Sequence, residues 1–265
     1  MVPEKCKNII VTGASRGLGR AIVHLLISTN ENVNVTAIAR DEAALKDLLN
    51  SLTEEQRNRI LIEVGDVTDS STIEKSINNT INKWGSVNGV IFNAGVLAPV
   101  GHLYDSDYKV DDMKSLFDVN FFSIVKFTNL LLNTLKLTPG LNDPSKCLDI
   151  VVVSSGASVK AYDGWLAYGA SKASVNSFCM HLHEELFPLV RAVAVAPGVV
   201  DTDMQSDIRN KFGSNMKSDA IERFTKLHTD NLLLDPFVVG KVYADLVVKG
   251  IPETISGSYV RWNEI

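Results

Sequence analysis

Tyr168 and Lys172 stand four residues apart in Tyr168-Gly-Ala-Ser-Lys172. On a helix this spacing puts a phenol and an ammonium group on one face. A free tyrosine titrates near 10, too high for easy proton exchange at neutral pH. A lysine cation beside it would stabilise the phenolate and bring that value down. Such a pair suits a reaction in which hydride reaches a carbonyl carbon, because the alkoxide so formed needs a proton donor within hydrogen-bond reach. Ser155, thirteen residues before Tyr168, could hold the carbonyl oxygen in the attack geometry. By itself a Tyr/Lys pair at this spacing can also be incidental on a surface helix. What must be found is a scaffold that brings a cofactor and the serine to it.

The chain alternates short apolar runs with helical periodicity. Strands are expected at Asn8–Thr12, Val33–Ala39, Ile60–Val64, Val87–Phe92, Leu148–Ser154, Val190–Ala196 and Gly257–Val260. Most are near-continuous Val/Ile/Ala stretches, as strands buried on both faces require. Helices are expected at Gly19–Ser28, Glu42–Leu52, Thr72–Trp84, Met113–Leu135, Trp165–Leu186 and Asp235–Lys249. The alternation predicts an α/β fold: a doubly wound parallel sheet of about seven strands, with helices on both faces and right-handed crossovers. No repeat or linker divides the 265 residues, so one domain is expected. Thr138–Pro144 reads as a turn-rich surface loop. Asp201–Asp230 is polar, charged and only partly periodic. It follows a Pro-Gly strand end, which suggests a cap over a site, although a plain surface excursion has the same pattern.

The first strand runs into Thr12-Gly13-Ala14-Ser15-Arg16-Gly17-Leu18-Gly19 and then a helix. Glycines here allow a tight turn and let backbone approach a phosphate, which the free N–H groups of the helix end then meet. The pattern Thr-Gly-x3-Gly-x-Gly, in the first β–turn–α unit, resembles the nucleotide-binding signature of the classical short-chain dehydrogenase/reductase family. That resemblance implies a single-domain Rossmann-like fold and cofactor contacts from Gly13, Ser15, Arg16, Gly17, Leu18 and Gly19. It implies that Asp66 and Val67, closing the third strand, bind adenine. Asn93, Ala94 and Gly95, closing the fourth, match the family's Asn-Asn-Ala-Gly, with Phe92 in place of the first Asn. Val200 and Thr202, after the Pro197-Gly198 strand end, inherit the grip on the nicotinamide carboxamide.

Enzymes that prefer NAD usually carry an acidic residue at the end of the second strand. Ala39 holds that position here and Arg40 follows. A guanidinium matches a 2′-phosphate in charge and geometry. Arg40 with Arg16 therefore favours NADP(H). Asp41 leaves an acidic ribose ligand open if the strand ends later.

The resemblance also assigns Asn120, Ser155, Tyr168 and Lys172 as the catalytic tetrad, with Tyr168 and Lys172 contacting the cofactor too. Asn120 would hold a water linking Lys172 to solvent. Strand alternation sends Ser154 and Ser155 to opposite faces, and the family's thirteen-residue spacing selects Ser155. Asn93–Val100 and Val200–Gln205 are similar to the sepiapterin reductase and benzil reductase branch. An NADPH-dependent reducer of small-molecule ketones is expected, with an α-dicarbonyl preferred. Glu264 falls near the acidic pterin anchor of sepiapterin reductases, but Arg261 and Asn263 depart from that pattern. An alcohol dehydrogenase working oxidatively and a non-catalytic dinucleotide sensor are the rival readings.

The remaining features narrow the setting. The net charge is −5 and no basic block occurs, a poor basis for nucleic-acid binding. No apolar run reaches the roughly 18 residues of a membrane span, and the N-terminus lacks an apolar leader of the usual kind. Three scattered cysteines, Cys6, Cys147 and Cys179, suggest reduced thiols and the cytoplasm. The five histidines show no metal spacing. Apolar surface on the helices carrying Asn120 and Tyr168 suggests a homodimer, as in many family members.

Overall fold

Seven apolar segments pair in one direction: β1 (Lys7–Thr12), β2 (Val33–Ala39), β3 (Ile60–Val64), β4 (Gly89–Phe92), β5 (Leu148–Val153), β6 (Val190–Ala196) and β7 (Tyr259–Arg261). They are taken from a computed structural model that describes residues 6–139 and 147–265. The sheet order is β3-β2-β1-β4-β5-β6-β7, and every ladder is parallel. All residues of β2, β4 and β5 are buried, which requires cover on both faces.

The cover comes from α1 (Gly17–Thr29), α2 (Glu42–Asn50), a single turn α3 (Glu54–Arg57), α4 (Ser70–Trp84), α5 (Val110–Phe117), α6 (Ser123–Leu135), α7 (Leu166–Leu186), α8 (Asp203–Asn210), α9 (Ser218–Thr229) and α10 (Pro236–Lys249). Side-chain alternation sends Ile9 and Val11 to one face and Ile10 to the other. Ile9 and Val11 pack with Ile22 and Leu26 of α1 and Tyr243 of α10. Ile10 packs with Ile77 of α4, Phe127 of α6 and Cys179 of α7. The Tyr243 hydroxyl is satisfied inside the core by the Val195 carbonyl at 2.9 Å. The expected doubly wound sheet is therefore present.

Three local features differ from the sequence expectation. The helix expected over Met113–Leu135 is interrupted by a π-turn, Asp118–Phe122, between α5 and α6. Its wider ring turns the buried Asn120 inward, where the side chain hydrogen-bonds both the N–H and the carbonyl of Val96; such π-bulges recur at functional sites. The short α3 was not expected. It is closed by a capping box between Thr53 and Gln56, which fixes two backbone donors without any apolar stripe. Residues expected as a partly periodic cap form two amphipathic helices, α8 and α9, which bury Ile208 and Phe224 respectively. Most of the loop expected over Thr138–Pro144 lies outside the described residues.

Strand order reverses between β1 and β4, since the chain runs outward to β3 and returns. The loops at their carboxyl ends diverge there and leave a crevice, the usual ligand position in an open α/β sheet.

Candidate active site

A cleft of about 980 Å³ opens at that crevice. The residues singled out from sequence line it, from Gly13 to Thr202, except Gly19 and Asn120, which are not part of its lining.

The glycine turn forms one end. Gly13 and Gly17 have φ of +66° and +52°, values that suit glycine. A Cβ on Gly19 would overlap the Gly13 carbonyl oxygen and the Asn93 side-chain nitrogen. The turn is locked to β4 by Asn93, whose Nδ2 donates to the carbonyls of Thr12 and Gly13, both at 3.0 Å. The backbone N–H groups of Asn93 and Ala94 donate to Thr12 Oγ1 at 3.1 Å. Thr12, not among the sequence candidates, is thus the knot that holds the turn. No side chain caps α1 at Arg16, so its first N–H groups point at the cleft unpartnered by a cap, as a pyrophosphate site needs. A narrow, Cβ-free turn with an uncapped helix start fits a dinucleotide.

Beside it stand the two expected arginines, each in an ion pair. Arg40 reaches Asp66 at 3.5 Å, and Arg16 reaches Asp203 at 3.2 Å. Partial burial works against ionisation of Asp66, but hydrogen bonds from Thr68 and the Arg40 charge hold its carboxyl below the usual value. Asp41 accepts from the Ala44 N–H at 3.0 Å as the N-cap of α2. One of its oxygens therefore has a structural task.

Ser155 stands two residues past the end of β5, and its Oγ accepts from the Ala157 N–H at 3.1 Å. Ser154 is buried, and its hydroxyl donates to Asn176 Oδ1 at 2.6 Å. Tyr168 and Lys172 lie in the first two turns of α7, both buried. Lys172 Nζ donates to the Val153 carbonyl at 2.8 Å and sits 5.7 Å from the Tyr168 ring centroid. Asn120 is held by three hydrogen bonds: Oδ1 accepts from Val96 N–H at 2.8 Å, and Nδ2 donates to Val96 O at 2.9 Å and Ser171 Oγ at 3.1 Å. Asn120 and Lys172 converge on Gly95, where a Cβ would lie 3.3 Å from Asn120 Oδ1 and 3.5 Å from Lys172 Nζ.

The expected lowering of the Tyr168 phenol is not what the structure shows. Burial pushes it up to about 12, against a smaller opposing effect of the Ser155 hydroxyl. Burial also brings the Lys172 ammonium down to about 8. The physical reason is that both groups are out of water and the lysine donates to a backbone carbonyl. Desolvation then disfavours the charged form of each.

Sequence inspection missed the far wall of the cleft, which is aromatic. Trp165 meets Tyr168 edge-on at 5.6 Å and stacks on Tyr162 at 5.0 Å and Phe224 at 5.4 Å. Leu97, Met204 and Ile208 complete its apolar lining. Glu264 is not part of this lining. Its carboxylate accepts from the Arg261 N–H at 2.9 Å.

A family model described as short chain dehydrogenase matches residues 7–212. A benzil reductase ((S)-benzoin forming) of Saccharomyces cerevisiae is 44% identical over 262 residues, 97% of this chain and 96% of that protein. The crystal structure of the KRED1-Pglu enzyme superposes with a TM-score of 0.86 at 45% identity, covering 96% of this chain and 100% of the other. A Saccharomyces cerevisiae structure, of a protein described as cytoplasmic and of unknown function, superposes with a TM-score of 0.77 at 38% identity, covering 97% of this chain and 96% of the other.

Proposed function

The chain belongs to the short-chain dehydrogenase/reductase family, and from that premise we propose that it is an NADPH-dependent carbonyl reductase whose substrates are α-dicarbonyl ketones of the benzil type. One observation carries the proposal: Ser155, Tyr168 and an aromatic wall meet in a cleft whose other end is a glycine turn fitted to a dinucleotide. Gly13, Ser15, Gly17 and Leu18 would hold its pyrophosphate, Asp66 and Val67 its adenine, and Val200 and Thr202 its carboxamide. When bound, the reduced nicotinamide supplies hydride to the carbonyl carbon.

The protein's own groups do the rest. Ser155 hydrogen-bonds the carbonyl oxygen and holds it beside the phenol. Tyr168 then gives its proton to the oxygen as negative charge develops there. A phenol near 12 stays protonated at neutral pH, which is the state a reduction uses. Lys172 contributes its positive charge at the alkoxide end, and the Asn120 amide braces the Val96 loop beside it. Tyr162, Trp165 and Phe224, stacked on one another, give the cleft an aromatic, apolar wall of the kind an aryl ketone suits. The benzil reductase likeness at 44% identity supports the substrate class, and the Glu264 carboxylate, bonded to backbone, gives a pterin little support. Oxidation of NADPH in the presence of a benzil-type diketone is the direct test; no turnover across a diketone panel would refute the proposal.

The free-enzyme profile follows from the lysine. Lys172 is cationic below about 8 and neutral above it. If its charge serves the reaction, kcat/KM for NADPH, which reports free-enzyme groups, is level below pH 8 and falls about tenfold per unit above it. A profile level to about pH 10 would remove Lys172 from this role. Cofactor choice has its own test. Arg40→Asp is expected to weaken NADPH binding at least about tenfold, the loss of a charge-assisted phosphate contact, and to leave NADH within about twofold. Equal weakening of both would end the 2′-phosphate assignment.

Exposed Phe122 and Val125 on the Asn120 side, with Leu166 and Met180 on α7, support a homodimer through these helices. The reading includes a cytoplasmic location, supported by the yeast relative described as cytoplasmic.

A further inference from the structure

We infer that Asp203 is a selectivity residue for the dinucleotide 2′-phosphate, acting as an internal competitor for Arg16; the inference rests on the NADPH reading. Arg16 lies in the glycine turn and Asp203 in the first turn of α8, 187 residues away, yet their side chains pair at 3.2 Å. The two segments are in contact: a Cβ on Gly17 would lie 3.0 Å from Thr202 Cγ2. Both partners are largely exposed, at 71% and 63% of their side-chain surface, so the pair is weak and can exchange.

The local charge count decides what exchange means. Two guanidinium groups, Arg16 and Arg40, line this end of the cleft with three carboxylates, Asp41, Asp66 and Asp203. The site is therefore not net positive before a ligand arrives. Asp41 is fixed by capping α2, and Asp66 is fixed by the N–H and hydroxyl of Thr68 at 2.9 and 2.8 Å. Asp203 has no side-chain hydrogen bond except that to Arg16 among the described residues. It is the carboxylate free to yield. A phosphate carries nearly two charges and three acceptor oxygens, so it displaces the single carboxylate and takes the fork of Arg16. NADH lacks the 2′-phosphate, and its pyrophosphate is met by the backbone of the glycine turn, so the pair stays intact. Asp203 thus weakens NADPH binding without touching NADH, and narrows the preference between them.

The test is binding, measured by fluorescence titration of NADPH and NADH and by calorimetry with adenosine 2′,5′-bisphosphate and adenosine 5′-monophosphate. Asp203→Asn should tighten NADPH and the bisphosphate about two- to fivefold, the range of an exposed ion pair, and leave NADH and the monophosphate unchanged. In an Arg16→Gln background the same substitution should have no effect, since there is nothing left to release. An Asp203→Asn protein that binds NADPH no more tightly, that tightens all four ligands alike, or that keeps its gain without Arg16 would overturn the inference. Wild-type protein that binds NADH more tightly than NADPH would instead fail the reading beneath it.

Discussion

Tyr168→Phe lowers turnover about 10²- to 10⁴-fold, the usual worth of a positioned general acid, and leaves NADPH affinity within about twofold. The variant keeps the ring that meets Trp165 edge-on at 5.6 Å and removes only the hydroxyl. Because burial holds that hydroxyl in its neutral form, its loss takes away no charge, and the melting temperature should stay near that of the parent. Steady-state ketone reduction beside a fluorescence titration of the cofactor separates the two effects. Turnover within about tenfold of the parent would move the proton source to Ser155 or solvent. Loss of turnover and cofactor binding together would mean that the phenol shapes the cleft and does not act as its acid.

Gly19→Ala is expected to have the second large effect, by a different route. The added Cβ would overlap the carbonyl oxygen of Gly13, which is backbone, and the Asn93 nitrogen that ties the turn to β4. Neither can swing away as a flexible side-chain tip does. Overpacking of this kind costs about 1–3 kcal/mol, and the relaxation falls on the turn that meets the pyrophosphate. Dinucleotide affinity should fall at least about tenfold, with a lower melting temperature. Gly85→Ala is the control. Gly85 has φ +87° but nothing within 4 Å of a Cβ. Its cost is the left-handed backbone alone, about 1 kcal/mol, with dinucleotide affinity unchanged. If Gly19→Ala binds NADPH like the parent, the turn is not the pyrophosphate cradle.

The sheet was legible because its signal is local. Runs such as Asn34–Ala39 and Ile150–Val153 announce strands buried on both faces, and the expected sheet of about seven strands is the one observed. The glycine turn was legible for the same reason: Gly13, Gly17 and Gly19 lie within seven residues. The π-turn at Asn120 was not, because one extra residue in a helical ring barely disturbs an apolar stripe. The aromatic wall was hidden by distance along the chain, since Phe224 stacks on Trp165 from a segment that reads as polar. The Arg16–Asp203 pair was hidden likewise. The direction of the Tyr168 shift failed for an electrostatic reason. Spacing sets which groups are neighbours, but burial, which spacing does not report, sets which of their charge states is favoured.

Phe224, on α9, completes a wall whose other rings, Tyr162 and Trp165, lie just before α7, while Ser155 follows β5 and Tyr168 stands on α7. One part of the substrate wall is therefore housed apart from the bond chemistry, in α8 and α9. Exchanging residues 203–229 for a segment of different bulk would retune which ketones enter, and the hydrogen transfer underneath would go on with the same donor. That modularity gives the fold a way to diversify its repertoire through one surface segment.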